Sequence, residues 1–284
     1  MDLYDRAMRI EAERARVLIT VKATPQPSEK YGDTVCVAGV RLDGPTPTWI
    51  RLYPIAFRYL GDDAQFAKYD IIELDVRRRD GDSRRESFTP ALGSWQKVGH
   101  LPPWRDRHEV LRDLEPTTTC RLMRAAERDH RAPSLGLVFP KEFRGLEFSP
   151  HQPWSDEQVR KMAARIEKES SALIPAGAVP PVLVAPRLKV RYRYVCEEPT
   201  CSSHVGRILD WELTSLQNRS RRESDTRLKQ IITEKFVGMM CDSSRRTGLF
   251  LGNFELASRR SKFSVLGVYY PRRADVFRAG PTLF

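Results

Sequence analysis

Apolar and polar residues alternate along much of the first hundred positions, which is the pattern of strands with one buried face. In the segment 69–76, Ile72 and Leu74 alternate with Glu73 and Asp75, a period of two residues. Short runs rich in β-branched residues also lie at 17–21, 34–40 and 48–53, with turn-forming residues between them. This spacing predicts a small β-barrel or a mixed sheet in the N-terminal part of the chain.

Helices are predicted where the composition or the period changes. The segment 2–16 is rich in Ala, Arg and Glu and is expected to be helical, as are 105–114 and 118–129. Ser155 and Gln158 have the spacing of a capping box, which places the start of another helix at Ser155. In the segment 225–240 the apolar residues form one stripe, which we interpret as a helix that packs on a core.

A proline-rich segment at 173–181 is the predicted linker between two parts of different character. We predict an α/β (α+β) protein whose N-terminal domain, residues 1–172, is a β-rich barrel or mixed sheet with trailing helices. A basic α+β domain is expected over residues 182–284, beginning with a strand at 182–195.

Composition narrows the class of protein. The 284 residues are 40% hydrophobic and 30% charged, which is enough apolar material for a core. The charged N-terminal segment lacks the apolar region of a secretory signal, and no apolar run approaches the roughly 20 residues of a membrane span. We therefore expect a cytoplasmic protein with no membrane association. Its five cysteines, an odd number, are not expected to form a disulfide framework.

Positive charge is concentrated in the C-terminal third. The net charge is +11, and residues 187–284 carry 19 Lys and Arg against 10 Asp and Glu. A one-sided basic surface is typical of proteins that bind a polyanion, and arginine suits both phosphate and bases. The candidate nucleic-acid-binding residues are Lys189, Arg191, Arg193, Arg221, Arg222, Arg245, Arg246, Arg259 and Arg260. A solvated basic surface that aids solubility is the alternative interpretation.

Two local features bear on this surface. On a strand, alternate residues from Lys189 to Tyr194 would separate a basic face from a face of Val and Tyr, with the tyrosines in the core or stacked on bases. The segment 77–85 carries five arginines around an Asp-Gly pair that is typical of a hairpin turn. This hairpin tip is expected either to contact phosphate or to be a solvated loop.

The strand at 182–195 leads into a turn with metal-ligand spacing. Cys196, Cys201 and His204 follow the pattern Cys-x4-Cys-x2-His, which matches the residue types of a zinc turn. A structural zinc ion prefers four ligands, and Cys241 is the expected fourth because it follows a helix that would pack back on the turn. The less favoured candidates are Cys36 and Cys120. Buried free cysteines and a surface histidine are the alternative.

Asp210 and Glu212 are two carboxylates two positions apart, directly after an extended segment. Such a pair could hold Mg²⁺ for phosphodiester cleavage, which makes them the candidate catalytic residues of a nuclease. The nearest lysine along the chain, Lys229, lies on a separate predicted helix. The structural alternative is that Asp210 is a helix N-cap and that Glu212 lies in the first helical turn.

The cysteine–histidine turn followed by Asp210-Trp211-Glu212 resembles a pattern in a family of bacterial proteins to which no activity is attached. The segments 30–39, 49–54 and 263–271 carry the same resemblance, so that it covers most of the chain. It implies an association with mobile elements or phage defence, and no cofactor or catalytic residue.

These features together predict a nucleic-acid-binding protein, for DNA or RNA, with a structural zinc ion. A Mg²⁺-dependent nuclease that uses Asp210 and Glu212 is one alternative. The other is a structural module whose arginines bind an acidic protein partner.

Overall fold

The computed structural model describes residues 12–28, 32–55, 65–171 and 183–277. Within these ranges the strands are β1 (Glu13–Lys22), β2 (Gln26–Ser28), β3 (Gly32–Arg41), β4 (Thr48–Ile55), β5 (Asp70–Arg78), β6 (Ser87–His100), β7 (Leu135–Val138), β8 (Pro140–Pro150), β9 (Leu188–Cys196), β10 (His204–Arg207), β11 (Gly248–Asn253) and β12 (Phe263–Tyr269). The helices are α1 (Trp104–Leu111), α2 (Thr119–Arg128), α3 (Asp156–Ser171), α4 (Trp211–Arg219), α5 (Asp225–Thr233) and α6 (Arg273–Phe277). A π-helix (Glu234–Met239) continues α5, and a 3-10 helix lies at Ala257–Arg259. The predicted α+β class is confirmed.

Strands β1, β3, β4, β5 and β6 form a closed barrel, here called the first barrel. The strand order is β1-β5-β6-β4-β3, and a direct pairing of β3 with β1 closes the circle, while β2 extends the sheet beside β3. Neighbouring strands are antiparallel except β4 and β6, which run parallel. The apolar residues that alternate with polar ones along the strands fill the barrel interior, where Ile72, Leu74 and Val76 are at most 1% exposed. The prediction of a β-rich N-terminal barrel is confirmed.

The first strand begins earlier than the sequence predicts. Residues 13–16 were expected at the end of a helix, but they belong to β1 and pair with β5. Ala15, Val17 and Ile19 face the barrel interior, and this alternation outweighs the helical preference of the neighbouring Arg and Glu residues. Most of the predicted helix, residues 2–11, lies outside the described residues.

Strands β7 to β12 form a second barrel. β7 and β8 are one run of chain interrupted only at Phe139; β7 pairs with β11 and β11 with β12, while β8 pairs with β9 and β9 with β10. A parallel bridge between Ile208 and Val265 joins the end of β10 to β12, and the amide of Leu209 donates to the Val265 carbonyl at 2.7 Å. When β7–β8 is counted as one strand, the strands of both barrels have the same circuit, that is, the same order of neighbours around the barrel. Numbered along the chain within each barrel, this order is first, second, third, fifth, fourth and back to the first.

The helices of the second barrel lie where the sequence places them. Ser155 and Gln158 form the predicted capping box, with reciprocal side-chain to backbone hydrogen bonds of 3.2 and 2.9 Å. Between β10 and β11, α5 and the π-helix bring Leu228, Ile232 and Phe236 onto the barrel core, as their apolar stripe predicts.

The outward face of β3 and β4 is covered by the second barrel. Ala38 and Val40 pack in one apolar cluster with Phe250 of β11. On the same face Arg51, only 4% exposed, donates a 3.2 Å hydrogen bond to the carbonyl of Ser134. The two barrels therefore share a buried interface that combines apolar packing with hydrogen bonds.

The arginine-rich hairpin between β5 and β6 belongs to this interface as well. Arg84 is buried, pairs with the buried Asp82 at 2.6 Å and donates to the Asn253 carbonyl at 3.1 Å. Arg79 pairs with Glu255 of the second barrel at 3.1 Å. Because these side chains hold the barrels together, the interpretation of the tip as a phosphate-contacting finger is wrong for Arg79 and Arg84.

The linker predicted at 173–181 lies outside the described residues. β7 and β8 precede it in sequence and pair with strands that follow it, so that backbone hydrogen bonds join the chain on its two sides. Among the described helices, none has the length and apolar character that a membrane crossing requires.

Candidate nucleic-acid interface and metal centre

Strand β9 separates its side chains into a buried face and a basic face. Val190, Tyr192 and Tyr194 are at most 1% exposed, and the hydroxyl of Tyr192 donates to the Phe236 carbonyl at 2.5 Å. The tyrosines are therefore core residues and cannot stack on bases. The outward residues of β9 are Lys189, Arg191 and Arg193.

Neighbouring strands complete this surface, here called the basic face. Arg207 of β10 lies opposite Arg191 in the antiparallel register and thus on the same side of the sheet. Glu147 of β8 lies opposite Arg191 on the other flank, and its carboxylate pairs with Arg193 at 3.4 Å. Burial and the nearby Arg191 lower the pKa of Arg207, an effect that a bound anion would relieve.

Two aromatic side chains lie at the edge of the basic face. His151 Nε2 is 3.3 Å from the Arg207 guanidinium, and its ring lies 5.2 Å from that of Trp154. Burial lowers the pKa of His151, and the charges of Arg207 and Lys189 lower it further, which favours the neutral imidazole. No sequence motif singles out these two residues, and the contact forms because the long side chain of Arg207 reaches from β10 across β9 to the residue that follows β8.

Arg221 and Arg222 lie beside the basic face. The guanidinium of Arg187, at the start of β9, donates to the carbonyls of Arg221 at 3.4 Å and Glu223 at 2.7 Å. This anchor fixes the turn between α4 and α5, on which both predicted arginines are exposed. The sequence-predicted cations of β9 and of this turn are therefore neighbours.

The remaining predicted cations lie elsewhere. Arg245 donates to the Tyr270 carbonyl at 2.8 Å, Arg246 lies 4.6 Å from the centre of the Phe139 ring, and Arg259 is exposed on the 3-10 helix. Arg260 is only 9% exposed and donates to the His130 carbonyl at 3.0 Å. The assignment of Arg260 to a nucleic-acid surface is wrong, because its guanidinium is used inside the protein.

A group of three cysteines and one histidine lies at the end of β9. His204 Nε2 is 3.3 Å from Cys120 Sγ and 3.4 Å from Cys196 Sγ, and these two sulfur atoms are 3.6 Å apart. With Cys201, the four ligand atoms lie within 4.8 Å of one another. A tetrahedron with bonds of about 2.0–2.3 Å has edges of roughly 3.5 Å, so that this group could hold a metal ion such as zinc.

The fourth member of this group is Cys120, not the expected Cys241. Cys120 lies in the first turn of α2, which packs on β9 through a 3.1 Å hydrogen bond between Thr119 and Tyr194. The thiol of Cys241 instead contacts the Phe236 carbonyl at 3.3 Å. Cys241 is separated from the group because the π-helix places it beside the core.

Asp210 and Glu212 form an ion cluster with lysines that are distant in sequence. Lys68 Nζ lies 2.8 and 2.9 Å from the two oxygens of Asp210 and 2.9 Å from Glu212, and Lys235 contacts Glu212 at 3.1 Å. Burial would raise the pKa of Glu212, but the ammonium groups outweigh it and lower that pKa to about 2.

The helix-cap interpretation of Asp210 is confirmed. Its side chain accepts the backbone N–H of Glu212 at 3.0 Å at the start of α4. Asp210 and Glu212 are already neutralised by Lys68 and Lys235, so that a divalent cation would have to displace both ammonium groups. The geometry therefore favours a structural ion cluster over the metal-dependent nuclease.

The chain is an α+β protein of two five-stranded barrels that share one circuit. It carries an exposed basic face and a cysteine–histidine group. The chain belongs to the family described as "Domain of unknown function (DUF8757)", whose model matches residues 115–282, more than half of the 284 residues. The model of a second family, "Domain of unknown function (DUF8758)", matches residues 13–113. The predicted membership in a family without an attached activity is confirmed.

No curated protein matches the chain. Among solved structures, it is similar to a chain of a replication protein A heterotrimer bound to ssDNA, with 7% identity and a TM-score of 0.33. The similarity covers 93% of this chain and 49% of the other, so that the chain spans about half the length of that protein.

Proposed function

We propose that the protein binds nucleic acid on the basic face, and that a zinc ion held by the cysteine–histidine group stabilises this part of the fold. The observation that carries the proposal is the arrangement of four cations on one exposed side of a three-stranded sheet. These cations are Lys189, Arg191, Arg193 and Arg207. Arginine donors in such a row suit the phosphates of an extended backbone.

The topology supports the same surface. Five-stranded Greek-key barrels of the oligonucleotide- and oligosaccharide-binding (OB) type bind their ligands on the face of the second and third strands. In the second barrel these strands are β9 and β10, which carry the basic face. In the first barrel they are β3 and β4, whose outward face is buried against Phe250 and Ser134.

The side chains also favour single strands over duplex. A nucleic-acid strand that lies across β9 and β10 would have its phosphates near Arg191 and Arg193. His151 and Trp154 offer aromatic rings at the edge of the basic face. Stacking on aromatic rings contributes about 1–3 kcal/mol per base in single-strand-binding proteins and requires unpaired bases.

Zinc is the metal that suits the cysteine–histidine group. Three thiolates and one imidazole supply four ligands, which closes the coordination sphere and is typical of a structural site. Cys120 comes from α2 and the other three ligands from β9, β10 and the turn between them. The ion would therefore tie α2 to the strands that carry the basic face.

The test is fluorescence anisotropy with labelled single-stranded DNA, single-stranded RNA and duplex DNA at two salt concentrations. The double variant Arg191→Ala/Arg193→Ala should lose about tenfold or more in affinity at low salt, and its log–log salt slope should decrease by about two. Its matched control is Arg105→Ala/Arg128→Ala, which removes two exposed arginines from α1 and α2.

If both double variants bind as the unaltered protein does, the basic face is not the binding surface. Absence of binding at low salt would overturn nucleic-acid binding altogether. In that event the arginines would be tested against an acidic protein partner, the interpretation that also predicts salt-sensitive association.

A further inference from the structure

A cleft at the junction of the two barrels combines aromatic rings with positive charge. Its volume is about 330 Å³, near the lower end of the roughly 300–1,000 Å³ of small-molecule sites. The lining residues that define its chemistry are Lys22, Tyr69, Trp104, Arg107, Trp211 and Tyr270. Both barrels and α1 contribute to this cleft, and the basic face does not overlap it.

Arg107 is the cation best placed to meet a ligand. Its guanidinium carbon lies 3.9 Å from the centre of the Tyr69 ring and 4.8 Å from that of Trp104. Its Nε donates to the Leu101 carbonyl at 2.5 Å, and its two Nη atoms have no hydrogen-bond partner within the described part of the chain. A half-buried guanidinium held by rings, with no carboxylate beside it, is suited to an anion.

Lysines lie on one side of the cleft, which Glu212 also lines. Lys68 and Lys235 already neutralise the carboxylates of Asp210 and Glu212. The ammonium group of Lys22 lies 5.1 Å from the centre of the Trp211 ring. Burial lowers the pKa of Lys22 to about 8, and the charge of Lys68 contributes to this shift. An anion in the cleft would reduce the repulsion between these two ammonium groups.

The aromatic rings offer a flat apolar surface next to these cations. Trp104, Trp211 and Tyr270 are all half-buried, and the rings of Trp104 and Tyr270 are 5.0 Å apart. Tyr69 has a positive φ of 69°, a left-handed conformation that is unusual for a bulky residue. This conformation accompanies the placement of the Tyr69 ring beneath Arg107.

We infer that this cleft is a second binding site, which takes one nucleotide: an aromatic base against the tryptophan rings and a phosphate on Arg107 and Lys22. Base stacking and arginine–phosphate pairing are the two interactions that such a ligand requires. The nucleotide could be a free mononucleotide or one unit of a nucleic-acid strand, and the chemistry of the site is the same in both cases.

The experiment follows intrinsic tryptophan fluorescence, since Trp104 and Trp211 line the cleft. The full chain is titrated with AMP, UMP and, separately, inorganic phosphate. Saturable quenching by the mononucleotides is expected, with much weaker binding of phosphate alone because it has no base to stack. Arg107→Gln should weaken mononucleotide binding about tenfold or more, since it removes a charge-assisted pair.

Arg105→Gln is the matched control, because it changes an exposed arginine of the same helix outside the cleft and should leave binding unchanged. Lys22→Gln provides a second variant if Arg107→Gln does not fold, and it should weaken mononucleotide binding in the same direction. The variant Arg191→Ala/Arg193→Ala should bind mononucleotides normally, so that a failure of the basic face and a failure of the cleft can be distinguished.

The same variants are then compared in the oligonucleotide assay. If free mononucleotides do not bind, but Arg107→Gln weakens oligonucleotide binding and Arg105→Gln does not, the site takes a nucleotide from a strand. The inference is overturned if the cleft variants bind both mononucleotides and oligonucleotides as the unaltered protein does, or if no variant or parent binds either ligand.

Discussion

His204 contacts two thiols that are far apart in the chain, and this contact illustrates what a sequence can reveal about single residues. Three members of the group are close in sequence, and their types and spacing predict them. The fourth, Cys120, lies 76 residues before Cys196. Its position depends on how α2 packs against β9, which local spacing does not encode.

Exchange of single cysteines distinguishes the two candidate fourth ligands. Cys120→Ser should weaken zinc affinity roughly 100-fold, because one of four ligands that together contribute about 10–16 kcal/mol is lost. Competition with a chromogenic chelator measures the affinity. Cys241→Ser is the matched control and should retain both zinc and its affinity. Equal loss in both variants, or none in either, would contradict the assignment of Cys120.

At the scale of single elements, the alternating patterns predicted the strands well, and composition alone was misleading. The period of two identified β5 and β9 because each has one buried face. At residues 13–16, helix-favouring residues lie in β1 because the barrel buries Ala15. Tertiary burial outweighs intrinsic preference in such a segment, and no local signal shows it.

Gly39 in β3 marks a place where the first barrel allows no side chain. A Cβ atom at this position would lie 2.4 Å from the backbone carbonyl oxygen of Leu18, which β1 cannot move without losing its register. Gly39→Ala should therefore lower the free energy of unfolding by about 1–3 kcal/mol, measured by urea denaturation.

Gly93 in β6 is the control for this substitution, since a Cβ there would meet nothing within 4 Å. Gly93→Ala should leave the stability unchanged or slightly raised, because alanine restricts the unfolded chain. Equal destabilisation by both alanines would show that close approach at Gly39 is not the cause.

At the scale of the whole molecule, the sequence predicted the two kinds of structure but not their common plan. No internal repeat is visible in the residues, yet both barrels follow one circuit. The second barrel closes through the bridge from Ile208 to Val265. Because this closure depends on a few contacts between residues that are far apart in sequence, it leaves no periodic pattern along the chain. The contact of Lys68 with Asp210 across the barrels was likewise beyond prediction, because 142 residues separate the pair.

This ion cluster predicts how stability depends on pH. The folded-state pKa of Glu212 is about 2, below its ordinary value of 4.5. The contribution of the ionised carboxylate to stability is therefore complete above about pH 4.5 and is lost as the pH falls towards 2, on the order of 2 kcal/mol. Urea midpoints across that interval should fall less steeply in Glu212→Gln than in the parent.

Glu234→Gln, which changes an exposed carboxylate of the π-helix, is the control and should follow the parent curve. A Glu212→Gln curve parallel to that of the parent would mean that Lys68 and Lys235 do not hold the carboxylate in its charged form.

The burial of the outward face of β3 and β4 has a consequence for stoichiometry. Known single-strand-binding barrels of the OB type each occupy about 4–16 nucleotides. If the basic face binds a single strand as proposed, one molecule would offer a single short footprint on its sheets, not two in tandem, because the first barrel presents its corresponding face to the second barrel. A long strand would accordingly be coated by many copies with short spacing. The first barrel would then have a structural role, packing against the second barrel and fixing its orientation.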